Sequence, residues 1–181
     1  MNSTPKRQGQ LDGLCGIYSI INSFKQVMGR SLEENDVQLL FETCCRSVSA
    51  WPATLWAGLD FDELREVIER AEKTEPSLFE KVTISFPFAN SIPPTSEEYW
   101  RKFHTLFERY PEGCAIVGMA YPYLHWIAVT PKSQKQLRIH DPSPNGPIKA
   151  KNISQIHAGD RRPKKKHWKL ERNELVFFRK T

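Results

Sequence analysis

Apolar positions recur with two different periods along this chain, and the change falls near Tyr110. Before it, apolar residues return every three or four positions, the spacing of an amphipathic helix. Ile17, Ile20, Ile21, Phe24, Val27 and Met28 form one such stripe between Gly13 and Gly29, with Asp12 as its N-cap and Gly29 as its stop. "SLEENDVQLLFETCCRSV" predicts a second helix, opened by a Ser31/Glu34 capping box and carrying Val37, Leu40, Phe41, Cys44 and Cys45 on one face. Asp60 and Glu63 form a similar box for "DFDELREVIERAEK", whose stripe is Leu64, Val67, Ile68 and Ala71. A fourth helix begins after Ser96 and uses Tyr99, Trp100, Phe103, Leu106 and Phe107.

Beyond Tyr110 the apolar runs are short and divided by turn residues, which predicts strands. They are "CAIVGMAYP" from Cys114, "HWIAVTP" from His125, "QLRIHDP" from Gln136 and "ELVFFRK" from Glu174, with "KVTISFPF" around Lys81–Phe88 as a fifth. There is no internal repeat. Helices first and strands afterwards predict an α+β fold with a mostly antiparallel sheet. The expected organisation is one domain over 1–181, with a helical lobe over about 11–110 and a sheet lobe over about 112–181.

Composition narrows the classes. The chain has 181 residues, 39% hydrophobic and 26% charged, as expected of a soluble globular protein. No run approaches the roughly 18 apolar residues of a membrane span, and "MNSTPKRQGQ" has no apolar signal core, so a cytoplasmic protein without membrane contact is expected. The cysteines are Cys15, Cys44, Cys45 and Cys114; they form no C-x-x-C pair and no histidine stands at zinc-finger spacing. This argues against a structural metal site and, without an export signal, against a disulfide framework. The net charge of +5 is uneven: residues 1–159 hold 17 Lys/Arg against 18 Asp/Glu, and residues 160–181 hold nine against three. The excess lies in "RRPKKKHWKLER", read as a basic loop over 161–172. Its simplest reading is a solvated loop. It also suits an acidic partner, and the lack of interleaved aromatics argues against nucleic acid.

Candidate chemistry centres on "QGQLDGLCGIYSIINSF". With Asp12 as cap, Cys15 falls in the first helical turn, where unpaired N–H groups and the helix dipole favour a thiolate. Cys15, Tyr18, Ser19 and Asn22 point away from the isoleucine stripe, whereas a packing cysteine should share it. Gly13 and Gly16 would let another chain approach the sulfur. Cys44, Cys45 and Cys114 lie on apolar faces and read as core thiols. A nucleophilic cysteine needs a base and the base an orienter. Of the five histidines, His104 falls on a helix and His157 and His167 in polar or basic stretches. Alternation puts His125 on the face of Ile127 and Val129, and Asp141 on that of Leu137 and Ile139, with His140 facing the other way. If the two strands pair through "KSQKQ", His125 and Asp141 stand opposite each other. Singly, each of these residues has an ordinary structural explanation; their coincidence is what points to a Cys–His–Asp unit.

"GQLDGLCGIYSI", "HWIAV" and "IHDPS" resemble the active-site segments of papain-fold cysteine peptidases, and most of all the compact bacterial group that includes the bacteriocin-leader peptidases. The resemblance implies a papain-like fold with Cys15 as nucleophile, His125 as base and Asp141 as the orienting acid. It further implies that Gln10 completes the oxyanion hole with the Cys15 backbone N–H. Four residues separate Gln10 from Cys15 and six separate Gln8 from it; the family's usual spacing falls between, so Gln8 stays an alternative. No metal or organic cofactor is implied. The expected function is a thiol peptidase or isopeptidase acting on a protein or peptide through a thioester acyl-enzyme. The same triad order also serves transglutaminase-like acyl transfer and deamidation. A non-catalytic interaction module with a basic surface loop is the reading from a different class.

Overall fold

Each of the four long stripes forms a helix, and local signals set its ends. The computed structural model describes residues 13–142, 150–159 and 167–181. Helices α1 (Cys15–Met28), α2 (Glu34–Ser47), α4 (Phe61–Thr74) and α6 (Ser96–Arg109) match the periodic segments, and two single-turn helices, α3 (Thr54–Ala57) and α5 (Pro76–Phe79), join them. Gly29 ends α1 with a φ of 60°, a left-handed conformation that glycine adopts without a Cβ clash. The Asp60/Glu63 box forms as expected: Glu63 N–H donates to Asp60 Oδ1 and Asp60 N–H to Glu63 Oε2, both at 2.9 Å. The box expected at Ser31/Glu34 forms instead from Glu33 and Asp36. The Ser31 hydroxyl is used by the preceding turn, donating to the Met28 carbonyl at 2.7 Å.

The strands are β1 (Val82–Ser85), β2 (Cys114–Tyr121), β3 (His125–Ser133), β4 (Gln136–His140), β5 (Ala150–Asn152), β6 (Ile156–Ala158) and β7 (Trp168–Lys180). They form one sheet in the order β1-β7-β2-β3-β4-β5, every ladder antiparallel, with β6 added parallel to β7. The mixed helix and antiparallel-sheet architecture is α+β. The second half of the expected basic loop is part of β7, where Trp168 and Leu170 are buried. The remainder, with Arg161, Arg162, Lys164, Lys165 and Lys166, lies outside the described residues.

Helices cover both faces of the sheet. Cys114, Ile116, Trp126, Ala128, Val176 and Phe178 pack against α1, α2 and α4. Their alternating neighbours Ala115, Val117, Ile127, Val129, Leu175 and Phe177 pack against Tyr99, Phe103 and Phe107 of α6. Burial on both faces explains the unbroken apolar run of β2. α1 is buried nearly all round: its isoleucines fill one core, and its polar side also lies inside. There the Ser19 hydroxyl donates to the Trp126 carbonyl at 3.0 Å, and Asn22 Nδ2 donates to the His140 carbonyl at 3.3 Å. The side opposite the stripe therefore docks on β3 and β4, and does not face solvent.

Candidate active site

Cys15 is the first residue of α1. The Cys15, Gly16 and Ile17 N–H groups are among those an α-helix leaves without intrahelical partners. The two flanking glycines serve the protein's own packing. A Cβ on Gly13 would stand 2.8 Å from the Gly58 backbone nitrogen, and one on Gly16 would stand 3.0 Å from Leu64 Cδ1. What comes close to the cysteine turn is thus the end of α3 and its connection to α4, together with Leu64 and Trp126. Trp126 Nε1–H fastens that connection to β3 by donating to the Leu59 carbonyl at 2.7 Å.

His125 opens β3, and Asp141 directly follows β4. His125 Nε2 meets Asp141 Oδ1 at 2.8 Å, with the two side chains 7% and 2% exposed. This leaves the Nδ1 edge of the ring for Cys15, whose thiol also interacts with the imidazole. Burial alone would weaken the imidazole as a base. The hydrogen bonds with Asp141 and Cys15 and the charges of both outweigh it, and raise the His125 pKa to about 9. His140 goes the opposite way: burial, with Arg138 nearby, lowers it to about 4. Neutral His140 stands 3.3 Å from the Thr130 hydroxyl. The pair therefore divides into a basic histidine beside the thiol and a structural one.

The three expected residues come together, though not by the expected route. Ile127 and Val129 pack toward α6, on the sheet face away from α1. Strand alternation would send His125 there as well. It meets Cys15 all the same, the first residue of β3 against the first residue of α1. In register, Ala128 pairs with His140, so Asp141 continues opposite Ile127 and reaches His125 diagonally, not face to face. Gln10, Gln8 and Asp12 lie outside the described residues. The position before α1 in the described chain is Leu14, which supplies no side-chain cap. Cys15 is buried, as are Cys44 and Cys114, Cys45 is half-buried, and all four cysteines are free thiols. Burial pushes the Cys114 thiol up to about 12 and raises Cys44 as well.

A cleft of about 610 Å³ opens beside this unit, with Cys15, His125 and Trp126 in its wall. Several residues that sequence reasoning missed also line it. Trp56 and Leu124, 73% and 85% exposed, stand at its rim. Asp60, Glu63 and Glu174 give it an acidic side. Tyr123 lies with its ring 5.4 Å from that of His125; burial, then the Asp141 and Cys15 charges, raise its pKa. For Tyr123 and Leu124 the available signal was the cluster of aromatic and apolar residues around a proline in "YPYLHW". Among the described residues no group of three or more His, Cys, Asp or Glu is placed to hold a metal ion, and no helix is long and apolar enough to cross a membrane. No protein-family model, curated protein or solved structure matches the chain.

Proposed function

We propose that this protein is a cysteine-dependent hydrolase of papain-like fold, a peptidase or isopeptidase working through Cys15, His125 and Asp141. The observation that carries the reading is that one buried imidazole is held by Asp141 at Nε2 and interacts with Cys15, beside an open cleft. A helix that begins with the cysteine and packs on an antiparallel sheet bearing the histidine and aspartate also supports it.

In this scheme His125 takes the Cys15 proton, and the sulfur attacks an amide carbonyl. The oxyanion develops near the N–H groups of the first turn of α1, where a glutamine from the preceding segment, Gln10 or Gln8, would add a donor. His125 returns the proton to the leaving amine. Water, deprotonated by the same imidazole, then hydrolyses the thioester and frees Cys15. Asp141 keeps the ring oriented and stabilises its charge throughout. A protein or peptide is the proposed substrate, and no step calls for a cofactor.

Iodoacetamide labelling near neutral pH, read by peptide mapping, tests the reading. Cys15 should react at least about tenfold faster than Cys44, Cys45 and Cys114, and His125→Ala should remove most of that advantage. Four thiols reacting in order of exposure, with Cys15 indifferent to His125, would refute it. An unbiased peptide screen comparing wild type with Cys15→Ala then identifies the substrate, and added amines that capture the acyl group would reveal transfer in place of hydrolysis.

A further inference from the structure

β2 and β7 leave their regular ladder beside the cleft. Val117 pairs with Leu175 and Met119 with Leu170, so the four residues from Glu171 to Glu174 oppose Gly118 alone. A bulge of this kind re-aims side chains. Here it lays the Glu174 side chain across Gly118, where any Cβ would collide with the carboxylate. Glycine at 118 is thus what lets the carboxylate into the cleft wall it shares with Cys15 and His125.

Resting on the reading of this cleft as a cysteine-hydrolase site, we propose that Glu174 is its specificity-determining residue and selects a substrate carrying a lysine or arginine side chain next to the bond attacked. Among the described residues nothing donates a hydrogen bond or forms an ion pair to Glu174. Arg65, which lines the adjoining depression with it, is turned to Asp62 and Glu69 at 3.7 Å each. The groups facing Glu174 are mostly acidic: Glu171 on its own strand, and Asp60 and Glu63 at the start of α4. His125 and Cys15 lie across the cleft, and Tyr99 senses the carboxylate from α6. Burial first, then the Glu171 and Asp60 charges, raise the Glu174 carboxyl to about 7. A half-buried carboxylate without a cation is costly, and an incoming ammonium or guanidinium removes that cost with charge-assisted hydrogen bonds. An acidic side chain in the same place would add a fourth negative charge to the wall formed by Asp60, Glu63 and Glu174.

The test uses peptidyl acyloxymethyl ketones that differ only in carrying Arg, Gln or Glu beside the warhead. The Cys15 labelling rate with each is divided by the iodoacetamide rate of the same protein. At pH 8 the Arg probe should exceed the Glu probe by at least about tenfold, a difference typical of one charge-assisted contact. Glu174→Gln should reduce that ratio to within about threefold. In wild type the ratio should also shrink as pH falls from 8 to 6 and Glu174 becomes protonated, a readout that needs no variant to fold. Equal Arg and Glu rates in wild type, a ratio untouched by Glu174→Gln, or a ratio constant with pH would overturn the role of Glu174. If iodoacetamide itself fails to prefer Cys15, the hydrolase reading fails and this inference with it; selective iodoacetamide labelling without a charge preference overturns the inference alone.

Discussion

His125 and His140 sit on adjacent strands, and burial acts against the charge of both, yet they are driven apart. His125 has an anion within hydrogen-bond reach and rises to about 9; His140 has a hydroxyl and a nearby arginine and falls to about 4. The folded-state value of His125 lies above the ordinary histidine value of about 6.5, so the folded state holds its proton more tightly than the unfolded chain. Its contribution is therefore complete below about pH 6.5 and is lost as pH rises through about 9. In urea unfolding under reducing conditions, the stability gap between wild type and His125→Gln should be widest at the acidic end of this window. It should close by an amount on the order of 1–3 kcal/mol toward pH 10. A gap that stays level, or grows with pH, would show that the Asp141–His125 bond does not hold a charged imidazole. His125 and Asp141 could be picked out as a pair from the chain because each stands at one end of an apolar strand face. The opposite protonation of the two histidines could not, since it depends on Asp141 and Cys15 reaching His125 from other elements and on the burial of His140.

At the scale of elements, the readable parts are those whose signals are local. The Asp60/Glu63 box and the stripe of α4 lie within a few residues of each other, and the helix forms where they predict. Neighbouring candidates compete, which is why Glu33/Asp36 and not Ser31/Glu34 caps α2. β5 and β6 have three residues each, too few for a period to show, and the β7 bulge is a product of pairing between distant strands. The glycines beside Cys15 signal space in the chain, but what fills it, Gly58, Leu59, Leu64 and Trp126, is distant in sequence. Gly13→Ala should therefore act on stability as well as reactivity. Its Cβ would meet the backbone of Gly58, which has a φ of 79° and no flexible side chain to move aside. Overpacking of this kind costs about 1–3 kcal/mol. A urea midpoint equal to that of wild type would show that the two turns are not held in contact.

The described fold is a sheet covered by helices on both faces. α1, α2, α4 and the cleft lie on one side, and α6 closes the other through Tyr99, Phe103 and Phe107. This two-sided burial was hidden in the chain because a strand buried on both faces loses its alternation, leaving a bare apolar run such as "CAIVGMA". The division predicts that stability and reactivity can be separated. Phe103 is fully buried, with Phe107 at 4.8 Å and Trp100 at 5.3 Å between ring centroids, in the core on the sheet face away from α1. Phe103→Ala should cost about 3–5 kcal/mol, a large part of the stability of an ordinary domain. In native buffer the folded fraction should still label Cys15 with iodoacetamide within about threefold of wild type, because α1, α4 and the Trp126–Leu59 bond that shape the cleft pack on the other face of the sheet. A fully folded variant whose Cys15 reacted more than about tenfold more slowly would show instead that α6 holds the ends of β2 and β3, and with them His125, through the sheet.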